Sequence, residues 1–309
     1  MSASVIVVGA GVAGFTAARE LRKHGATVTV LEATQYVGGR TRTVRGALSG
    51  HEHADLGASW IDVGQDAILN LCRELSVPLT PTQSFYREEL HPVTTESAVL
   101  RNPLFVDGDR LDREAGAAVA GEAEAAFTAT APRAGETMSA WVRRAGLSGH
   151  AARLFEGLAG ANPVALPWRA PASLWYHADV GVAAWMLADG TDSIARAMAA
   201  DLDVRLEEPV ALIRRGDGAY EIDTNRAIHR ADYVVVAVSP RAVARIGFDP
   251  PLPEWKTTAQ LSTPLGQGGK IVAQYDNGAA ILAAMPHGVI STSPCRSSSR
   301  EPAPSPAPR

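Results

Sequence analysis

The stretch Val5-Ile6-Val7-Val8-Gly9-Ala10-Gly11-Val12-Ala13-Gly14 leaves the N-terminal part of this chain little choice of fold. Val5 to Val8 is an apolar, largely β-branched run of the kind that forms a strand buried on both faces. Gly9, Gly11 and Gly14 follow in G-x-G-x-x-G spacing. Phe15 to His24 then has the pattern of a helix that Gly25 ends, and Thr27 to Leu31 reads as a second buried strand finishing at Glu32. Strand, glycine turn, helix, strand and acid in this order specify a βαβ unit with a dinucleotide fingerprint. Gly9 allows the tight turn, Gly11 lets the backbone approach a pyrophosphate, and Gly14 lets the helix pack close to the strand; Ala13 lies in the same turn. The helix N-terminus offers N–H groups and a partial positive charge to phosphates. Glu32, with Ala33 beside it, can accept hydrogen bonds from ribose hydroxyls. A βαβ turn that binds nothing can carry the same glycines, so the reading rests on the whole order of elements.

A second glycine pair and an arginine, Gly38-Gly39-Arg40, follow shortly after. Paired glycines permit another close backbone approach, and an arginine fork matches phosphate oxygens. A surface turn with a solvated arginine is the alternative. A plain NAD-binding domain has no reason to place these residues here, which disfavours an NAD-dependent dehydrogenase.

Glu32-Ala33 followed by Gly38-Gly39-Arg40 resembles the flavin-containing amine oxidases, the group with the monoamine, polyamine and L-amino-acid oxidases. The resemblance covers roughly Val5 to Tyr275 and implies non-covalently bound FAD. It also implies an α/β fold, in which a Rossmann-like FAD-binding domain is interrupted by a mainly helical substrate domain. Asp55-Leu56-Gly57-Ala58-Ser59-Trp60-Ile61 is similar to the family segment that passes beside the flavin, so Gly57, Ala58, Ser59 and Trp60 are candidate cofactor residues. Without the resemblance, this stretch reads as a strand-to-loop transition with a core tryptophan. Asp62-Val63-Gly64 stands where many polyamine-oxidase-like members have a histidine and glycine, so no catalytic histidine is assigned there.

Apolar residues at Ile68, Leu69, Leu71, Cys72 and Leu75 have helical spacing and place Cys72 in a core. Helices are expected over Leu111 to Thr130, Glu136 to Ala145 and Ser148 to Ala159, the last capped by Ser148. Trp175, Tyr176, His177 and Trp185 can wall a pocket or simply fill a core. A helix from Ile194 to Leu202, capped by Asp192 or Ser193, should return the chain to the first domain. Strands are expected at Val204 to Leu206 and Pro209 to Arg214, with Val210 where the family contacts the adenine side. A hairpin should turn at Asn225-Arg226, and Ala231 to Val238 reads as a buried strand. Lys270, before an apolar strand and after Leu265-Gly266, matches a family lysine that holds a water against flavin N5; a solvated edge lysine is the alternative.

The expected division is 1–84 and 188–260 for the FAD-binding domain and 85–187 for the helical insertion. A substrate-domain sheet is expected to start in 261–285, followed by a disordered tail, 286–309. From Ser291 the chain is rich in Ser, Pro and Arg, a composition unable to bury a core. Family chains continue past this point, so the alternative to an FAD-dependent amine oxidase is a truncated, catalytically impaired member that keeps only partial nucleotide binding. Cys295 lacks the glycine-rich setting of a flavin attachment site.

Composition excludes some partners. The net charge of −4 lacks the basic excess of a nucleic-acid-binding protein. No run approaches a membrane span, and no basic residue precedes the apolar Val5 to Ala18, as a signal peptide would require. Two distant cysteines with no metal motif suit a reducing, cytoplasmic setting. The resemblance implies a small amine or amino acid as substrate, oxidised by hydride transfer to flavin with dioxygen as final acceptor. Oligomeric state is not legible.

Overall fold

A computed structural model describes residues 2–50, 52–62, 64–81, 104–106, 108–161, 172, 183–263, 265, 270–284 and 290–292. The chain divides into two compact units, one of 1–82, 183–265 and 270–272, the other of 83–182, 266–269 and 273–309.

The first unit is built on the predicted βαβ. Strand β1 (Ser4–Val8) leads to helix α1 (Val12–Lys23) and then to strand β2 (Thr27–Leu31). β1 and β2 pair in parallel from Ser4 opposite Thr27 to Val8 opposite Leu31. Asp203–Arg205 adds on the far side of β2, and Tyr233–Val236 on the far side of β1, both parallel.

Alternation along β1 explains its uniformly apolar sequence. Val5 and Val7 enter one core with Phe15 and Ala18 of α1 and Ile194, Ala195 and Met198 of the helix Asp192–Ala199. Ile6 and Val8 enter another core with Leu31, Ile213, Ile222 and Ala231. This second core is shared with a four-stranded sheet in the order Ile228–Ala231, Tyr220–Thr224, Val210–Arg215, Gly247–Asp249. A strand covered on both faces has no solvent side to mark with polar residues. Each such side chain contributes about 1.5–3 kcal/mol on burial.

Further along, strands β3 (Thr43–Arg45) and β4 (His53–Asp55) form an antiparallel pair. Strand β5 (Ile61–Asp62), helix α2 (Asp66–Glu74) and strand β6 (Leu79–Pro81) follow. β5 and β6 both pair with Ala183–Leu187, giving a three-stranded sheet. Cys72 of α2 is buried in the first core, as its spacing predicted, and burial pushes its thiol pKa up.

The second unit has its own core. Helices Arg113–Ala129, Met138–Arg144 and Gly149–Ala161 follow the predicted helical stretches. Trp141 stacks on Phe155 with ring centroids 4.6 Å apart and donates its indole N–H to the Thr130 carbonyl at 2.7 Å. Glu136 and Arg144 form an ion pair at 2.7 Å.

Three expectations need correction. The helix Asp192–Ala199 is shorter than predicted and its N-cap is Thr191; Asp192 is already inside the helix and turns its carboxylate to Arg45. The strand predicted over 231–238 is only Tyr233–Val236, and Tyr233 is exposed because the strand forms the edge of its sheet among the described strands. Lys270 does not lead directly into a strand: residues 270–275 have no ladder partner among the described residues, and Ile271 is 98% exposed. Among the described residues of 261–285 are the end of one helix (Glu254–Ser262) and a second helix (Gly278–Ala284). The described residues of the tail, Ile290–Thr292, lie parallel to Leu104–Val106, which leaves the reading of the tail as a whole unchanged. Trp175, Tyr176, His177 and Cys295 lie outside the described residues, as does the remainder of the tail.

Candidate functional site

The glycine turn after β1 is shaped by close approach. Gly9 has φ +107°, and a Cβ there would meet Val238 Cγ1 at 2.7 Å. A Cβ on Gly14 would lie 1.9 Å from the Gly9 carbonyl oxygen, so only glycine lets α1 start this near the strand. The face of Gly11 is different, because the nearest atom to a Cβ there is the Gly38 carbonyl at 4.0 Å. Gly11 is also the N-cap of α1, with no side-chain cap and no acid in the first turn. The positive end of a twelve-residue helix is thus left without an anionic partner of its own.

The second glycine pair packs directly on the first turn. The Gly38 N–H donates to the Ala10 carbonyl at 2.8 Å, and Gly38 forms an isolated parallel bridge with Gly11. Gly38 and Gly39 both have positive φ, +102° and +57°, and a Cβ on Gly39 would sit 3.6 Å from the Gly11 Cα. Ala13, Ala33, Gly39 and Arg40 are exposed around this double turn.

Glu32 occupies the end of β2 as predicted, and its carboxylate organises the backbone around it. Oε2 accepts from the Ala10 N–H at 2.9 Å, and Oε1 accepts from the N–H and hydroxyl of Thr34, each at 2.9 Å. The Glu208 N–H donates to the Glu32 carbonyl at 2.8 Å, which ties the segment before Val210 to the same corner. Val210 itself opens its strand opposite Thr224. The composition of the sequence did not signal the backbone-bonding role of Glu32.

Residues 56–60 form the other half of the site. Leu56 and Ala58 donate their N–H groups to the carbonyls of Arg42 at 2.9 Å and Arg40 at 3.0 Å. A Cβ on Gly57 would lie 1.8 Å from the Arg40 carbonyl oxygen, which requires glycine there. Ser59 is buried, while Trp60 is 54% exposed. Trp60 is therefore not the core residue that its surroundings in the sequence alone would suggest.

Lys270 meets this segment from a distant part of the chain. Its Nζ donates to Ser59 Oγ and lies 5.2 Å from the centroid of the Trp60 ring. Burial pushes the ammonium below the usual lysine range, opposed by the charge of Asp55. The structure thus gathers the predicted residues into two groups of the first unit: Gly9 to Gly14 with Glu32 and Gly38 to Gly39, and Gly57 to Trp60 with Lys270. Backbone bonds from Arg40 and Arg42 connect them.

Asp55 was missed as a functional candidate. It is buried, and its Oδ1 accepts from Thr43 Oγ1 at 2.6 Å, the Thr191 N–H at 2.9 Å and Thr191 Oγ1 at 3.0 Å. Its position just before Gly57 was the available signal; its partners on the return turn were not.

The family model described as flavin containing amine oxidoreductase matches residues 12–302. Putrescine oxidase of Kocuria rosea is 32% identical over 317 residues, which cover 88% of this chain and 64% of the relative. The flavin-containing amine oxidase B of Mus musculus is 29% identical, with 88% and 57% covered. Among solved structures, cyclohexylamine oxidase from Brevibacterium oxydans superposes with a TM-score of 0.65 at 20% identity, over 86% of this chain and 64% of the other. This chain therefore spans 57% to 64% of the length of these proteins.

Proposed function

The chain belongs to the flavin-containing amine oxidoreductase family, and from that premise we propose that it binds FAD on its paired glycine turns and oxidises a small amine or amino acid. The observation that carries this reading is the contact between the two turns, Gly38 N–H to Ala10 O at 2.8 Å beside the open face of Gly11. An NAD-binding βαβ unit needs only the first turn; two apposed turns make a longer anion-binding surface.

The residues present fit the cofactor. Gly9, Gly11, Ala13 and Gly14 with the uncapped start of α1 would receive the pyrophosphate, with Gly38, Gly39 and Arg40 on its other side. Glu32 and Ala33 would border the ribose and Val210 the adenine. Glu32 Oε1 is filled by its two bonds from Thr34, but Oε2 accepts only the Ala10 N–H among the described residues and retains acceptor capacity for a ribose hydroxyl. Gly57, Ala58, Ser59 and Trp60 would line the ring end. When bound, the flavin supplies two-electron oxidation of an amine carbon–nitrogen bond to an imine, with dioxygen reduced to hydrogen peroxide. Lys270 is the candidate catalytic residue. Held by Ser59 and Trp60, it would orient a water and donate or accept a proton at the reacting face.

No helix among the described residues is long and apolar enough to cross a membrane. The free, buried Cys72 supports the cytoplasm as the setting.

The test is reconstitution of purified protein with FAD, followed by the visible spectrum and by peroxide release with a panel of mono-, di- and amino-acid amines. A flavin spectrum with amine-dependent peroxide is expected. Flavin binding without turnover removes the oxidase half of the proposal, and a protein that stays colourless in excess FAD removes both.

A further inference from the structure

Asp55 ends β4 immediately before residues 56–60. It is 9% exposed, and Oδ1 alone takes its three hydrogen bonds. Two come from Thr191, which lies 136 residues away at the start of the helix Asp192–Ala199. The third comes from Thr43, its neighbour across the β3–β4 pair. Thr43 Oγ1 in turn accepts the Asp192 N–H at 3.1 Å. Asp55 and Thr43 therefore serve the N–H groups that begin this helix, a task the helix's own sequence leaves undone: Thr191 makes no side-chain cap. Gly190 is pressed against the same point, since a Cβ on it would lie 2.4 Å from Thr43 Cγ2.

The second oxygen behaves differently. Asp55 Oδ2 is shielded from solvent and has no hydrogen-bond partner among the described residues. A carboxylate bonded through only one oxygen keeps a charge that is weakly screened where water is excluded. Two cations feel it, Arg45 and Lys270. Arg45 is already committed to Asp192 through two hydrogen bonds at 2.7 and 2.8 Å. Lys270 has only the neutral Ser59 and the Trp60 ring as described contacts.

We propose that Asp55 is the positioning residue of the Ser59–Trp60–Lys270 corner, fixing residues 56–60, and with them the Ser59 and Trp60 contacts of Lys270, to the start of the return helix through Oδ1. Only the corner's relation to flavin rests on the function proposed above.

The chain has three lysines, Lys23, Lys256 and Lys270, so reductive methylation with 13C-formaldehyde gives a simple NMR titration. Lys270→Arg assigns its resonance. Asp55→Asn keeps an acceptor at Oδ1 and removes the charge. Loss of an anion disfavours the protonated amine, so Lys270 is expected to titrate at lower pH in Asp55→Asn, with Lys23 and Lys256 unmoved. Asp55→Ala removes the bonds as well. Amide exchange at residues 56–60 should rise at least about tenfold in Asp55→Ala while exchange in β1 holds, the mark of local release rather than global unfolding. Asp55→Asn should change exchange at 56–60 much less. If Asp55→Ala does not fold, Thr191→Val, which removes one of the three donors, takes its place with a smaller rise expected. Unchanged exchange at 56–60 when the Oδ1 bonds are cut, or a Lys270 titration that neither Asp55→Asn nor Asp55→Ala moves, overturns the proposal. Both measurements are made on the chain without added FAD, so failure of FAD binding would remove the flavin reading and leave this result standing.

Discussion

Gly14 lies against Gly9 so closely that a Cβ on Gly14 would stand 1.9 Å from the Gly9 carbonyl oxygen. Gly14→Ala must push α1 away from β1 or distort the turn. Overpacking of this kind costs about 1–3 kcal/mol. A fall in thermal midpoint and weaker FAD binding are expected together. Gly25→Ala is a control of a different kind: Gly25 has positive φ but open space around it, so strain there should lower stability and leave FAD affinity alone.

Glu32 supports the turn before any nucleotide arrives. Glu32→Ala leaves the Ala10 N–H without its acceptor, an unpaired partly buried donor that costs about 1–3 kcal/mol. The expected outcome is a lower thermal midpoint without nucleotide, and a smaller stabilisation by ADP or FAD than the parent shows. A residue that served only the ribose would leave the first of these measurements unchanged.

Lys270→Met removes the ammonium and keeps most of the apolar stem. In FAD-loaded protein, kcat with the best amine should fall by about 10²–10⁴-fold, the usual range for loss of a proton-transferring group. FAD affinity should change little. Equal turnover by Lys270→Met and parent would return Lys270 to the status of a surface lysine.

Glu136 should govern acid stability of the helical unit. The hydrogen bond from Arg144 pulls its pKa from the ordinary 4.5 down to about 2. Because the folded value is depressed, the contribution is present above pH 4.5 and is lost as pH falls toward 2. Thermal midpoints measured across that window should drop more steeply for the parent than for Glu136→Gln, which has no carboxylate to protonate.

The sequence made the first unit legible where local signals agreed. β1, α1, β2 and Glu32 are set by short-range pattern and glycine sterics, and they stand where the pattern placed them. Helices of the second unit were legible from their helix-favouring runs, while the caps at Asp112 and Thr137 emerge from the structure. What failed depended on neighbours distant in the chain. A strand after Lys270 was expected from Ile271 and Val272, but an apolar run becomes a strand only if a ladder partner satisfies its backbone. The cap of the helix Asp192–Ala199 was sought in Asp192 and Ser193, while the structure supplies it from Asp55 and Thr43, beyond the reach of any local motif. Trp60 was open to two readings, core residue or cofactor wall, and its exposure beside Lys270 removes the first.

The order of strands in the parallel sheet sets a schedule for synthesis. β1 and β2 are complete once Leu31 has been made, but the strands that flank them, Asp203–Arg205 and Tyr233–Val236, come much later in the chain. At ribosomal speeds of about 5–20 residues per second, the pair waits roughly ten to thirty seconds with both edges open. During that interval its apolar edges are templates for any other nascent strand. Production of this protein should therefore depend on chaperones that bind early in translation, and slowing the ribosome between codons 32 and 203 should lower the soluble yield.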